Sequence, residues 1–398
     1  MFLTGLFVFG LTSSIVLSAQ SKKGAESEWP SYSGDKAGTK YSPLTQINAR
    51  NFNSLKLAWT WSSADDPVIK ANPKVKAWLW ESTPLKIGGS LYVSTSLSQV
   101  AAIDAATGKT QWIYDPETWK APTPPNHGFV NRGVAYWANG RDRRILYGTG
   151  DGYLICLNAE TGKPISTFGK DGKVDLTQGL GRSVDRLHYG VTSPPVICRD
   201  VVVVGSSILD FPLVKEMPPG DVRGFDVRTG ETQWRFRPVP GAGEFGHDTW
   251  DGDSAKTTGN ANVWTMMSAD EKLGYVYLPF GTPANDYYGG QRHGNGLFGE
   301  SLVCVEARTG RRIWHFQMVR HGVWDYDFPA APNLVDIKVN GKSHQGRGAS
   351  EQAGIVLRVR PCHRQADLAD GGASGSSVQR TRRKVISHAA GPEPTRSV

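Results

Sequence analysis

Cysteine is scarce in this chain of 398 residues: Cys156, Cys198, Cys304 and Cys362 are the four present, and none falls in a C-x-x-C or C-x-x-C-H run. That spacing argues against a zinc ribbon and against covalently attached c-type haem. Helical periodicity is hard to find anywhere. After the first 19 residues no apolar run approaches the length of a membrane span. Residues 347–398 lack Phe, Trp and Tyr altogether, yet carry nine Arg or Lys against four Asp or Glu, in a chain whose formal net charge is +8. One aberrant tail therefore sets the basic pI, and the charge is no footprint of nucleic-acid binding.

What is present is the composition of a folded protein. With 39% apolar, 10% aromatic and 21% charged residues, the chain is neither disordered, nor a collagen, nor a small disulfide scaffold. Glycine (46 residues) and tryptophan (13) are abundant, a pairing that fits repeated tight turns and repeated large apolar anchors. Residues 2–19, FLTGLFVFGLTSSIVLSA, are apolar and end in small residues. They read as a secretory signal over 1–19 with cleavage near Ala19, followed by a linker over 20–28. A basic start is missing, and a single anchoring helix is the rival reading.

From Trp29 the chain repeats itself. The units are Ala101-Ala-Ile-Asp-Ala-Ala-Thr-Gly-Lys-Thr-Gln-Trp112, Leu157-Asn-Ala-Glu-Thr-Gly-Lys163 with Phe168, Gly224-Phe-Asp-Val-Arg-Thr-Gly-Glu-Thr-Gln-Trp234 and Val305-Glu-Ala-Arg-Thr-Gly-Arg-Arg-Ile-Trp314. A degenerate earlier unit ends at Trp59. Each reads as a strand, a D-x-x-T-G turn whose glycine is free to take positive φ, and a second strand bearing the aromatic anchor. The anchors lie 53, 56, 66 and 80 residues apart, the period of four-stranded propeller blades with variable loops. A β-sandwich would not require a fixed turn-plus-Trp signature.

These units resemble the tryptophan-docking motif of the quinoprotein dehydrogenases, which use pyrroloquinoline quinone (PQQ). The opening is similar too: Trp29-Pro-Ser-Tyr32, Tyr41-Ser-Pro-Leu-Thr-Gln-Ile-Asn48 and Leu55-Lys-Leu-Ala-Trp59. The resemblance runs from Trp29 to about Lys342. It implies an all-β, eight-bladed propeller of quinoprotein type, with PQQ and a metal ion in the central channel. About five blades are expected over 29–342, an incomplete propeller.

The resemblance also implies roles. PQQ is a flat ortho-quinone with three carboxylates. It calls for an aromatic platform, groups that hold carboxylates, a metal and a base, while the cofactor carries the redox chemistry. Trp264 is the implied platform, by stacking. Arg132 is the implied carboxylate clamp, as its guanidinium fork suits. Glu81, Thr192 and Ser207 are further cofactor contacts. Asp210 stands where the family places its first metal carboxylate, an oxygen ligand suited to Ca²⁺ or Mg²⁺. Asn285 is the candidate second ligand, because Ala284 occupies the aligned position. Asp327 matches an extra ligand of lanthanide-using relatives. Asp325, in His321-Gly-Val-Trp-Asp-Tyr-Asp327, is the implied general base. Where the alcohol-oxidising branch has two adjacent cysteines, this chain has Asn126-His127. That difference, with Thr192-Ser-Pro-Pro, Val222-Arg-Gly-Phe-Asp226 and Trp324-Asp-Tyr-Asp, leans toward the glucose-oxidising branch.

The pattern breaks after Val339-Asn-Gly-Lys342. A strand bearing a cofactor-contacting Lys or Arg is expected near Gln352, and no β pattern is seen there. Synonymous codons from His344 onward, read one base later, can spell Ile-Lys-Ala-Val-Ala-Gln-Val-Ser-Lys-Gln, and those from Arg360 a further docking motif. Residues after about Ser343 therefore read as out of frame, and 343–398 as a disordered tail without closing blades. The nucleotide sequence in the next frame tests this.

The expected function is a periplasmic PQQ-dependent dehydrogenase oxidising an aldose such as glucose, with alcohol as the second substrate class. It would pass electrons to a separate acceptor, a quinone or cytochrome c, and touch membrane only through its N-terminus. Activity of the chain as written is in doubt because closing blades are missing. A non-enzymatic propeller scaffold of outer-membrane assembly type shares the docking repeat and is the alternative from another class.

Overall fold

The computed structural model describes residues 28–339 except 213, together with backbone strands at 342–350 and 356–359. The expected signal over 1–19, nearly all of the linker and the tail beyond 359 lie outside the described residues.

Four antiparallel sheets of four strands follow one another along the chain. The first contains Leu85–Ile87, Ser90–Ser94, Val100–Asp104 and Thr110–Tyr114, and the second Ala135–Asn139, Asp142–Gly148, Tyr153–Asn158 and Lys173–Asp175. The third contains Val196–Cys198, Val201–Val204, Val222–Asp226 and Thr232–Phe236, and the fourth Ser268–Asp270, Tyr275–Pro279, Ser301–Glu306 and Arg312–Gln317. A fifth sheet has three strands, Asn333–Val339, Lys342–Ser350 and Val356–Val359. A short ribbon pairs Tyr189–Gly190 with Ser207–Ile208.

The sheets stack face to face. Successive strand residues point to opposite faces, and the third sheet shows the consequence. Val202 and Val204 pack with Leu146 and Leu154 of the second sheet. Val201 and Val203 pack with Val276, Leu278 and Val303 of the fourth. A strand buried on both faces carries no polar alternation, hence the unbroken run of valines. The first strand of the third sheet touches the first strands of both neighbours, so first strands gather toward a common hub. This is a β-propeller, and the ring is not closed among the described residues.

The docking repeat forms the seam between blades. Asp104 Oδ1 accepts hydrogen bonds from the amides of Ala106 and Thr107 and from the Thr107 hydroxyl, and Asp226 caps its own turn in the same way through Arg228 and Thr229. The following glycine lies under the anchor of the preceding blade. A Cβ on Gly162 would stand 2.5 Å from the Trp112 ring, and one on Gly310 2.6 Å from Trp234. The indole nitrogens of Trp112 and Trp234 donate to the carbonyls of Ala159 (3.1 Å) and Ala307 (2.7 Å). Glycine is required twice over, by φ near +70° and by the ring.

The tail expectation is corrected in part. Over 343–350 and 356–359 the backbone is paired strand rather than irregular chain. Pairing uses main-chain groups that every residue but proline carries, so the want of a side-chain pattern does not prevent it. Val339 pairs with Lys342 at one end of this ladder.

Candidate active site

The expected cofactor residues occupy one structural position, repeated. Glu81, Arg132, Thr192 and Trp264 each lie three or four residues ahead of the first strand of their sheet, which begin at Leu85, Ala135, Val196 and Ser268. Because first strands face the hub, the segments entering them converge there. Asp325 and Asp327 enter the fifth sheet similarly, ahead of Asn333. Asp210 lies instead in the loop joining the second and third strands of the third sheet.

A cavity of about 200 Å³ results, lined among others by Asn126, His127, Arg132, Thr192, Ser207, Asp210, Trp264, Asp325 and Asp327. The arginine is locked over the indole. Its Cζ stands 5.3 Å from the centre of the Trp264 ring, and its Nε is 2.8 Å from a Glu81 oxygen. Burial lowers the Arg132 pKa, while the Glu81 charge opposes that shift. The peptide link Arg132 N–H to Thr192 O, 2.8 Å, ties two entering segments together. The hydroxyls of Thr192 and Ser193 donate to the Trp264 carbonyl at 3.4 and 2.6 Å, fixing the platform's backbone.

The carboxylates form the other wall. Asp210 is pushed up to about 7, by burial first and then, among charges, by Asp327 and Asp325. Asp325 is also raised, by burial and then the Asp327 charge. The Tyr287 hydroxyl donates to Asp325 Oδ2 at 3.4 Å, and Asp325 adopts φ 54°, a left-handed conformation that Asp tolerates better than most residues. Two further carboxyls, outside the cavity lining, escaped the sequence reading. Asp286 is raised to about 9 by burial and by Asp210, Asp327 and Asp325. Glu300 is raised to about 7 by burial and then Asp327. Asp286 adjoins Asn285, and the family motif drew attention to its neighbour.

Three of the expected residues sit differently from the others. Asn285 does not line the cavity; its Oδ1 accepts the Tyr287 amide at 3.0 Å and caps a local turn. Asp327 lines the cavity, but both its oxygens are engaged, Oδ2 by Trp264 Nε1 at 2.6 Å and Oδ1 by the Thr282 amide at 2.5 Å. It steadies the indole. Glu81 is absent from the cavity lining and acts on it through Arg132.

The residues fit the groups that the fold implies. A half-buried indole with an arginine above it suits a flat polyanion. The carboxylates of Asp210, Asp325 and Asp327, half-buried along one cavity, suit a hard cation. Among the described residues no three His, Cys, Asp or Glu side chains are grouped to hold a metal.

Fold and cavity together define a quinoprotein-type propeller with a polar hub. Residues 29–352 match the family described as "PQQ: Glucose/ethanol/alcohol dehydrogenase, beta-propeller domain", and the chain belongs to that family. It is 36% identical over 339 residues to the quinoprotein glucose dehydrogenase of Escherichia coli K12, covering 80% of this chain and 40% of that protein. It is 33% identical over 329 residues to the glycerol dehydrogenase large subunit of Gluconobacter oxydans 621H, covering 80% and 42%. The structure of a quinohemoprotein alcohol dehydrogenase from Pseudomonas putida HK5 superposes with a TM-score of 0.69 at 27% identity, covering 84% of this chain and 46% of that one. The chain thus spans less than half the length of these relatives.

Proposed function

We propose that this chain carries the cofactor platform and catalytic base of a PQQ-dependent dehydrogenase that oxidises an aldose such as glucose. The observation that carries the reading is the meeting of Trp264, Arg132, Asp210 and Asp325 in one cavity, although they come from four separate stretches of sequence. PQQ, when bound, supplies a quinone able to accept two electrons. Trp264 offers the stacking face, and Arg132, Thr192 and Ser207 offer donors for carboxylates. Asp325 accepts the proton of the substrate hydroxyl at a carboxylate oxygen, and its raised pKa makes it a stronger base than an ordinary aspartate. Tyr287 orients that carboxylate. Asp210 is the carboxylate for the metal, Ca²⁺ in this reading, with Mg²⁺ or a lanthanide as substitutes.

His127 on the cavity wall, in place of a cysteine pair, and the 36% identity to a glucose dehydrogenase support the aldose. Alcohol is the second reading, supported by the glycerol dehydrogenase relative. Export to the periplasm and electron transfer to a separate quinone or cytochrome c belong to the same proposal, and the apolar stretch 2–19 supports export. The test is reconstitution with PQQ and Ca²⁺, assayed with a dye acceptor against glucose and simple alcohols. PQQ-dependent dye reduction with glucose is expected. Absence of both PQQ binding and turnover on either substrate class would return the chain to the scaffold reading.

A further inference from the structure

The segment that carries Asp325 has little hold of its own. His321 and Asp325 both adopt positive φ, 51° and 54°. Among the described residues, none from Gly322 to Phe328 makes a main-chain hydrogen bond to another main-chain group. The segment must therefore be placed by side chains. Gly322 is buried within it, whereas His321 and Trp324 are exposed, and a buried peptide needs partners for both its N–H and its C=O. The Gly322 amide donates to the Glu300 carboxyl, and the Gly322 carbonyl accepts from Arg292 Nη2. Both side chains come from the loop joining the second and third strands of the fourth sheet, between Pro279 and Ser301. They are 1% and 2% exposed. A Cβ at 322 would collide with both Glu300 oxygens, so glycine permits the approach. The grip is braced in turn: the Thr282 hydroxyl donates to Glu300 Oε1 at 3.3 Å, and Arg292 Nη2 also donates to the Asn285 carbonyl at 3.1 Å. Burying two ionisable groups is costly unless they are paired and bonded, and here both are spent on one peptide.

We propose that Glu300 and Arg292 are positioning residues for the reaction: they clamp the Gly322 peptide and so set where Asp325, three residues on, presents its carboxylate. The inference rests on the functional reading above. Neither side chain lines the cavity. They act through the backbone, while Tyr287 of the same loop holds the carboxylate itself. A shift of about 1 Å in such a group can cost on the order of 10²-fold in rate.

The experiment compares the wild type with Glu300→Ala, Glu300→Gln and the rim substitution Gly310→Ala, all in the whole chain. Amide exchange over residues 318–327 is followed by mass spectrometry without cofactor, and kcat and KM for glucose are measured after reconstitution with PQQ and Ca²⁺. Glu300→Ala is expected to exchange faster over that stretch and to lose about 10²-fold in kcat, with KM within about threefold of the wild type. Glu300→Gln keeps an acceptor for the Gly322 amide and should restore both quantities to near the wild type. Gly310→Ala should lower Tm and leave both unchanged, which separates positioning from stability. Unchanged exchange or unchanged kcat in Glu300→Ala overturns the proposal, as does a loss in Glu300→Gln or Gly310→Ala as large as that in Glu300→Ala. If the wild type fails to turn over glucose while exchange over 318–327 still depends on Glu300, the functional reading fails and the hold on Gly322 stands.

Discussion

Trp234 and Trp264 lie 30 residues apart in sequence and at opposite ends of the same pair of blades. Trp234 is 7% exposed, its ring pressed on Gly310 and its nitrogen on the Ala307 carbonyl. Trp264 is half-buried, its nitrogen on the Asp327 carboxylate and Arg132 over its ring. The rim indole is spent on neutral partners that repeat from blade to blade. The hub indole has charged partners that occur once and borders an open cavity. The residue type is the same, and its surroundings decide whether it serves fold or ligand.

The largest effect should come from deleting each ring in turn. Trp234→Ala removes a fully packed core ring and is expected to cost about 3–5 kcal/mol in urea unfolding. Trp264→Ala should cost less than half of that and abolish quenching of protein fluorescence by PQQ. Equal losses of stability would erase the distinction between rim and hub.

The second test is pH. Glu300 at the hub holds its proton up to about 7 when folded, whereas in the unfolded chain it releases it near the ordinary value of 4.5. The folded state therefore binds the extra proton between those values. Stability is full below about pH 4.5 and falls, by on the order of 3 kcal/mol, as pH rises through 7. Glu300→Gln should flatten that slope in denaturation measured from pH 5 to 8, and an unchanged slope would place the titration elsewhere. At the rim, Gly310→Ala combines a ring clash with a positive φ and should cost about 1–3 kcal/mol, leaving PQQ binding intact. Asn285→Ala should change stability least, within about 0.5 kcal/mol.

The rim was legible because its physics repeats. A capped turn, a glycine and an aromatic anchor recur, and Phe168 fills the anchor position as readily as tryptophan: a Cβ on Gly230 would stand 3.2 Å from its ring. Most of the hub was legible through resemblance, since Arg132, Thr192, Ser207, Asp210, Trp264, Asp325 and Asp327 line one cavity. Asn285 stands outside that lining, and side chains on a loop have no period to show which of two neighbours turns inward. Asp286 and Asn260 carried no motif; their signal is one buried side-chain oxygen each without a hydrogen-bond partner, which only the folded structure reveals. The strand over 342–350 was missed because main-chain pairing leaves no requirement on side chains.

The central claim is a single proton-accepting carboxylate facing a stacked quinone, and Asp325→Asn tests it most directly, by PQQ affinity and glucose-dependent dye reduction on the same preparation. PQQ should bind within a few-fold of the wild type, with turnover lowered by about 10²–10⁴. Wild-type turnover in that variant would contradict it.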